Sequence, residues 1–170
     1  MRGWPQPLAI IIMKLNEPQN YTLCLLPEAG YELLVDSKKV TFSKPASTRG
    51  VAKLYTLSHA GKLLYVGVAQ QPMSGRLNFG FKAKGKGGYH GYKWKHLTHN
   101  LKLSIWTASS NDGYISLREM ETIEAEVAFL CRHNSGQWPE YQHEIHFFPS
   151  ATIHRDAAMR IYNHAITDNG

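Results

Sequence analysis

The chain has 170 residues, 43% hydrophobic and 19% charged, which suits one domain with a packed core and argues against disorder. Its net charge is +6, but residues 37–111 hold 13 basic and no acidic residues, against 6 basic and 13 acidic elsewhere. Such an asymmetry predicts a surface for a polyanion such as nucleic acid, with chance clustering on a solvated surface as the alternative.

The cysteine count and the apolar runs exclude several classes of protein. Cys24 and Cys131 are too few for a disulfide framework or a cysteine-based zinc site, and both are expected to be small core residues. The longest apolar run, Leu8–Met13, is too short for a membrane span or a signal-peptide core. We therefore expect a cytoplasmic protein without a membrane partner.

Residues 1–48 are predicted to form an N-terminal extension with short strands. Leu8–Met13 is a candidate edge strand in this part of the chain. Tyr21–Leu26 and Tyr31–Val35 are short apolar runs, and a Pro- and Gly-containing turn separates them. A stretch rich in Ser, Thr, Pro and Gly at residues 43–50 indicates the boundary to the main domain.

Residues 49–150 are predicted to form that main domain. Val51–Leu57 and Leu63–Val68 read as the two strands of a hairpin, because a Gly-containing turn joins them. Pro72 marks the first turn of a helix that carries Arg76. The glycine- and lysine-rich residues 81–92 form a loop, and the alternating Leu101–Thr107 forms a strand.

The remaining elements are two helices and a strand. Ser116–His133 reads as a helix with a capping box, because Glu119 follows the candidate cap Ser116 by three residues. His143–Phe148 is predicted as a strand, and residues 151–170 as a C-terminal helix packed on the domain. This order predicts an α+β fold in which helices flank a small antiparallel or mixed sheet.

Several short motifs follow one another along the predicted main domain. They are Tyr55, Tyr65-Val66-Gly67, Arg76, Glu126-Val127-Ala128-Phe129-Leu130 and Pro139-Glu140-Tyr141-Gln142. In this order and spacing they resemble the GIY-YIG nuclease family. The resemblance covers about residues 50–148 and implies a GIY-YIG-like fold and a DNA endonuclease that uses Mg²⁺, with Mn²⁺ as a substitute.

The resemblance assigns catalytic roles to Tyr55, Tyr65, Arg76 and Glu126. Glu126 is expected to hold the metal ion, which keeps waters in most of its positions. Arg76 is expected to clamp the scissile phosphate. Tyr55 is expected to orient or deprotonate the attacking water, and Tyr65 to position the water or the phosphate by its hydroxyl.

Two features of this assignment stay open in the sequence. Glu124 and Glu126 flank the apolar stripe of the same helix on opposite edges, and only the family pattern favours Glu126. Gly80 occupies the position at which the family often has a histidine or tyrosine, whose role either passes to Tyr89, His90 or Tyr92 of the glycine-rich loop or is absent.

Lysines alternate with aromatic residues in and after the glycine-rich loop. Lysines neutralise phosphates, and aromatic rings stack on unpaired bases. The alternative is a solvated loop that Trp94 and Tyr92 anchor to the core. The residues predicted to bind nucleic acid are Lys62, Lys82, Lys84, Lys86, Tyr89, His90, Tyr92, Lys93 and Lys95, and Lys53 lies on the same hairpin as Lys62.

Other side chains border this site or suggest a different one. Gln142 and His143 are expected to lie next to the catalytic residues. The pair His143 and His146 would point to opposite faces of a strand, and His96 and His99 lack further ligands, which argues against zinc. The rival functions are an inactive nucleic-acid-binding module on the same scaffold and an RNA-directed nuclease.

Overall fold

A computed structural model of the chain describes residues 12–28 and 30–167. Over these residues the chain forms an α+β fold with two antiparallel sheets and three α-helices, which confirms the predicted class. The predicted edge strand at Leu8–Met13 lies outside the described residues, apart from its last two, which belong to no strand. The first four strands are β1 (Lys14–Leu15), β2 (Gln19–Leu26), β3 (Gly30–Val35) and β4 (Lys38–Val40).

The larger sheet contains six strands, among them the predicted hairpin that carries Tyr55 and Tyr65. Its remaining strands are β5 (Lys53–His59), β6 (Lys62–Ala69) and β7 (Leu101–Trp106). All neighbours are antiparallel, and the strand order is β4-β3-β2-β7-β5-β6. The predicted hairpin is therefore present as β5 and β6, with β6 at the edge. Because β7 pairs with both β2 and β5, the N-terminal strands continue the same sheet.

The two faces of this sheet carry separate hydrophobic cores. Neighbouring side chains in a strand point to opposite faces, so Leu54 and Tyr55 belong to different cores. Leu54 packs on the side of α2 (Leu117–Ser135) and α3 (Thr152–Ile166), and Tyr55 on the side of α1 (Met73–Lys82). Since β6 is an edge strand, side chains from α1 and α2 can meet beyond it.

Both ends of α2 are fixed as the sequence predicts. The Ser116 hydroxyl accepts a hydrogen bond from the backbone N–H of Glu119 at 3.2 Å, and the Glu119 carboxylate accepts one from the backbone N–H of Ser116 at 3.3 Å. Gly136 ends the helix with φ 80°, a left-handed conformation that favours glycine. These caps fix where α2 begins and ends, and its packing on the sheet decides which of its side chains face β6.

The smaller sheet combines β1 with two strands that follow β7 in the chain. It consists of β1, β8 (Ala108–Ser110) and β9 (Gly113–Tyr114), in the order β1-β8-β9.

Every helix within residues 12–28 and 30–167 is too short or too polar to cross a lipid bilayer.

The predicted strand His143–Phe148 is wrong, since these residues have no regular secondary structure. The edge of β6 receives side-chain hydrogen bonds just before this segment. The Gln142 amide accepts from the Val66 N–H at 3.1 Å and donates to the Val66 carbonyl at 3.0 Å, while the Tyr141 N–H donates to the Leu64 carbonyl at 3.0 Å. These bonds occupy the edge that a further strand would need.

Candidate active site

The hairpin holds Tyr55 and Tyr65 against one glycine. Tyr55 lies directly opposite Gly67, and Tyr65 precedes Gly67 by two residues, so all three share one face of the sheet. A Cβ atom on Gly67 would lie 2.8 Å from both Tyr55 Cζ and Tyr65 Cε1. Glycine is therefore the residue that lets the two rings approach, with their centroids 5.8 Å apart.

Arg76 joins these rings from α1, and Tyr92 joins them from the glycine-rich loop. The Arg76 guanidinium carbon lies 5.3 Å from the centre of the Tyr92 ring, a cation–π arrangement. The hydroxyl of Tyr92 lies 3.0 Å from that of Tyr55, within hydrogen-bonding distance. Three phenols and one guanidinium thus form a connected group between the hairpin and α1.

Tyr92 fills the space that glycine leaves at position 80. A Cβ atom on Gly80 would lie 2.0 Å from Tyr92 Cε2 and 2.3 Å from its Cδ2, and would overlap the edge of the ring. Of the three loop residues that the sequence offered as substitutes, the structure brings Tyr92 to this position on α1. Its ring is 2% exposed and stacks on Trp94 with centroids 4.4 Å apart. The predicted anchoring of the loop by Tyr92 and Trp94 is therefore present.

A cavity of about 740 Å³ lies beside the edge strand β6. Tyr65 and Arg76 line it from the hairpin and α1, and Glu124 lines it from α2. Tyr55 lies behind them with no exposed surface and is not part of the cavity wall. Tyr55 is therefore connected to the cavity only indirectly, by the contact between its hydroxyl and that of Tyr92.

Glu121, Glu124 and Glu144 line this cavity, whereas Glu126, the predicted metal ligand, does not. At 3.6 residues a turn, Glu124 and Glu126 lie about 200° apart around the helix axis. As α2 packs on the sheet, Glu124 and Glu121 face the edge of β6, and both line the cavity. Glu126 is half-buried elsewhere on the helix and does not line it.

The surroundings of Glu124 favour its neutral form. Burial, the largest cause, and the charge of Glu121 together raise the pKa of Glu124 to about 8, although the nearby Arg76 opposes both. Two carboxylates one helical turn apart repel each other when both are ionised, and a cation between them relieves that repulsion. Glu121 and Glu124 together offer carboxylate oxygens to a divalent cation, and Glu144 lines the same cavity from the segment after Gln142.

The phenols and the guanidinium keep their usual protonation states at neutral pH. Burial raises the pKa of Tyr55, of Tyr65 and of Tyr92, so each remains a hydrogen-bond donor and a poor base. Burial alone disfavours the charge on Arg76, but the surrounding phenol oxygens raise the pKa of Arg76 above its ordinary value. The cavity therefore holds a fixed positive charge beside Glu124.

The predicted nucleic-acid-binding residues in and after the loop differ in whether their side chains line the cavity. Tyr89, His90 and Lys93 are exposed and line the cavity, while Lys82, Lys84 and Lys86 are exposed outside it. Lys95 differs, because its ammonium donates to the carbonyls of Ala83 and His90 at 2.9 Å each and so holds the loop together.

Two lysines of the hairpin lie away from the cavity. Lys62 forms an ion pair with Glu140 at 3.0 Å beside a smaller cavity at the far end of the hairpin. Lys53 has no exposed surface, and its ammonium donates to the carbonyls of Thr48 and Val51 at 2.7 Å each. Burial lowers the pKa of Lys53 to about 8. The structure thus gives Lys53 a role inside the fold.

The segment after Gln142 forms another wall of the cavity. Gln142 and His143 line it as expected, and so does His146. The argument that His143 and His146 face opposite ways fails, because they do not lie in a strand. Burial and the charge of Lys93 lower the pKa of His143, so its imidazole is neutral at pH 7.

Neither a cluster of metal-binding side chains nor a similarity to a known protein identifies this site. The part of the chain that the structure describes contains no group of three or more His, Cys, Asp or Glu side chains placed to hold a metal ion. A magnesium site needs fewer protein ligands, because Mg²⁺ usually binds one or two carboxylates together with water and substrate phosphate. No family model, curated protein or solved structure gave a match to this chain.

Proposed function

We propose that this chain is a metal-dependent DNA endonuclease of the GIY-YIG type, which hydrolyses phosphodiester bonds. One observation carries the proposal: Tyr65, Arg76 and Tyr92 line the same cavity as Glu124, and Tyr55 lies behind them within hydrogen-bonding distance of Tyr92. These groups come from the hairpin, the following helix and a later helix, in the order that the resemblance implies. The fold and the activity of that family are part of this proposal.

Arg76 is the group that binds the scissile phosphate. Its guanidinium is planar, offers several N–H donors and stays charged, which suits two oxygens of one phosphate. The Tyr92 ring packs against it by a cation–π contact, and Tyr65 lines the same cavity. Lys93, exposed on the same wall, adds a second positive charge for the neighbouring phosphate.

Glu124, with Glu121 beside it, would hold Mg²⁺, and Mn²⁺ prefers the same oxygen ligands. The bound ion would supply positive charge for the transition state and for the leaving oxygen. Binding requires the Glu124 carboxylate to lose its proton, so proton and metal compete for it. Glu126, which lies away from the cavity, is not needed in this arrangement.

The phenols orient groups and do not act as bases in this proposal. Tyr65 donates a hydrogen bond from its hydroxyl to the attacking water or to a phosphate oxygen. Tyr55 fixes the hydroxyl of Tyr92, and through it the position of Arg76. Since burial raises the pKa of Tyr55, it is a positioning residue here and does not deprotonate water.

The proposal is tested by incubating the full chain with single-stranded DNA, duplex DNA and RNA, in Mg²⁺, Mn²⁺ or EDTA. We expect DNA cleavage that EDTA abolishes. Glu124→Gln and Arg76→Ala should lower the rate at least 100-fold, because each removes charge that acts in the transition state. Glu126→Gln is the matched control and should cleave like the parent.

The same experiment separates the rival functions. Binding without cleavage in both metals would favour an inactive nucleic-acid-binding module, and preferential cleavage of RNA would favour an RNA-directed nuclease. Loss of cleavage in Glu126→Gln with full activity in Glu124→Gln would show that the metal site lies elsewhere on α2.

A further inference from the structure

Two aromatic rings stack on each other at the rim of the cavity and remain open to solvent. Phe79 lies on α1, one turn after Arg76, and Tyr89 lies in the glycine-rich loop. Their ring centroids are 5.2 Å apart and their planes differ by 15°. Phe79 is 59% exposed and Tyr89 36% exposed, so neither ring is enclosed by either core of the protein.

The position of this pair connects it to the phosphate-binding wall. Tyr89 itself lines the cavity with Arg76 and Lys93, and Phe79 extends the stack from α1. The exposed lysines Lys82 and Lys86 lie within the same part of the chain, which has no acidic residue. An aromatic surface surrounded by positive charge suits a ligand with flat rings joined by phosphates.

We propose that the Phe79–Tyr89 pair is a stacking platform for an unpaired base, and that the substrate is DNA with an unpaired nucleotide beside the scissile phosphate. A base within a duplex is already stacked on both faces and cannot reach an aromatic side chain without leaving the helix. An unpaired base has a free face and stacks without that cost. The inference rests on the proposed function for the position of the phosphate at Arg76.

The proposal is tested by binding in EDTA, where no cleavage interferes. The probes are a single-stranded DNA with 2-aminopurine at one position, its duplex with the complementary strand, and a single-stranded RNA of the same sequence. We expect Phe79→Ala to weaken single-strand binding by about tenfold and to leave duplex binding within about twofold of the parent. The quenching of 2-aminopurine on binding should be lost with the ring.

Two further variants keep the result independent of folding. Phe79→Trp retains an aromatic surface and should restore both affinity and quenching. Phe129→Ala removes another exposed phenylalanine, 46% exposed on α2 and outside the cavity, and should bind like the parent. Since Phe79 is mostly exposed, its replacement by alanine is expected to leave the thermal unfolding midpoint nearly unchanged.

Several outcomes would overturn the platform. They are unchanged single-strand binding in Phe79→Ala, an equal loss for single strand and duplex, or tighter binding of the RNA than of the DNA. These results are separate from those on cleavage: a parent that cleaves while Phe79→Ala binds normally contradicts only the platform. A parent that binds single strands through Phe79 but never cleaves contradicts only the nuclease.

Discussion

Glu124 lies near the carboxylate of Glu121 and the guanidinium of Arg76, so its behaviour depends on pH. Its pKa rises from an ordinary value of 4.5 to about 8 in the folded chain, mainly by burial. Between these two values the folded state binds a proton that the unfolded state has lost. The contribution to stability is therefore complete below about pH 4.5 and is lost as the pH rises through about 8.

Replacement of this carboxylate should remove that pH dependence. We expect Glu124→Gln to be more stable than the parent at pH 8 by about 1–3 kcal/mol in the free energy of unfolding, and equal to it near pH 4. The measurement is urea unfolding across this range without divalent cations. Adding Mg²⁺ should then stabilise the parent and not the variant, because bound metal stabilises the folded state.

Glu126→Gln is the control for this measurement and should follow the parent at every pH. Parallel curves for Glu124→Gln and the parent would contradict the enclosed environment of Glu124. The sequence could place both carboxylates on the edges of the apolar stripe, but which edge faces β6 depends on how α2 docks on the sheet. That docking is a property of tertiary packing, so helical periodicity cannot predict it.

Gly80 and Tyr92 form a contact that single residues in the sequence cannot reveal. The two positions are far enough apart that only the folded loop brings the ring over the glycine, where a Cβ would meet it at 2.0 Å. At position 80 the sequence lacks the side chain that the resemblance to the GIY-YIG family implies, and it offers three candidates for that role. Choosing among them required the path of the loop.

This contact predicts a strong coupling between the two positions. Gly80→Ala should destabilise the chain by about 1–3 kcal/mol, because the displaced ring is packed on Trp94 and helix propensity offsets the clash only in part. In Tyr92→Ala the same change at position 80 should cost nothing, since the ring is gone. A double-mutant cycle by urea unfolding measures this coupling, and a Gly80→Ala variant as stable as the parent would contradict it.

At the scale of elements, turn and capping residues in the sequence predict the elements that short-range interactions determine. The hairpin, the helix with Arg76 and the capped helix α2 are present because turn glycines, Pro72 and Ser116 act over a few residues. His143–Phe148 was predicted as a strand from its composition, but a strand also needs a partner. Gln142 takes up the neighbouring edge of β6, and no sequence pattern shows that an edge is occupied.

The amide of Gln142 therefore acts in place of a strand at the edge of β6. Gln142→Ala leaves the N–H and carbonyl of Val66 without these partners and should lower the free energy of unfolding by about 1–2 kcal/mol. Hydrogen exchange at the Val66 amide should become faster in the native state. Gln137→Ala, at an exposed glutamine before the same turn, is the matched control. Slow exchange of Val66 in Gln142→Ala would contradict this role.

In the whole molecule, residues 37–111, which include no acidic residue, serve two purposes. Of its 13 basic residues, some are engaged inside the protein: Lys53, Lys95 and Lys102 donate to backbone carbonyls, and Lys39 and Lys62 pair with carboxylates. The lysines of the glycine-rich loop stay exposed near the cavity. Charge counted along the sequence thus overstates the charge that can meet a phosphate.

The salt dependence of DNA binding should identify the lysines that do so. Replacing Lys82, Lys84, Lys86 and Lys93 together by glutamine should reduce the slope of log K against log salt concentration by roughly three to four. Fluorescence anisotropy at several salt concentrations measures the slope. The double variant Lys39→Gln/Lys62→Gln is the control and should change it little, because both side chains are bound to carboxylates. An equal reduction in the control would show that the whole segment contributes without distinction.

The position of β7 between β2 and β5 also has a consequence for the order in which the chain can fold. β2 finds its second partner about 80 residues later in the sequence, in the strand Leu101–Trp106. Pairings of such long range slow folding, because a large loop must close before any contact forms. During synthesis, the meander of β2 to β4 and the hairpin of β5 and β6 are made before β7. The two parts can join into one sheet only after β7 has been synthesised, because β7 pairs with both.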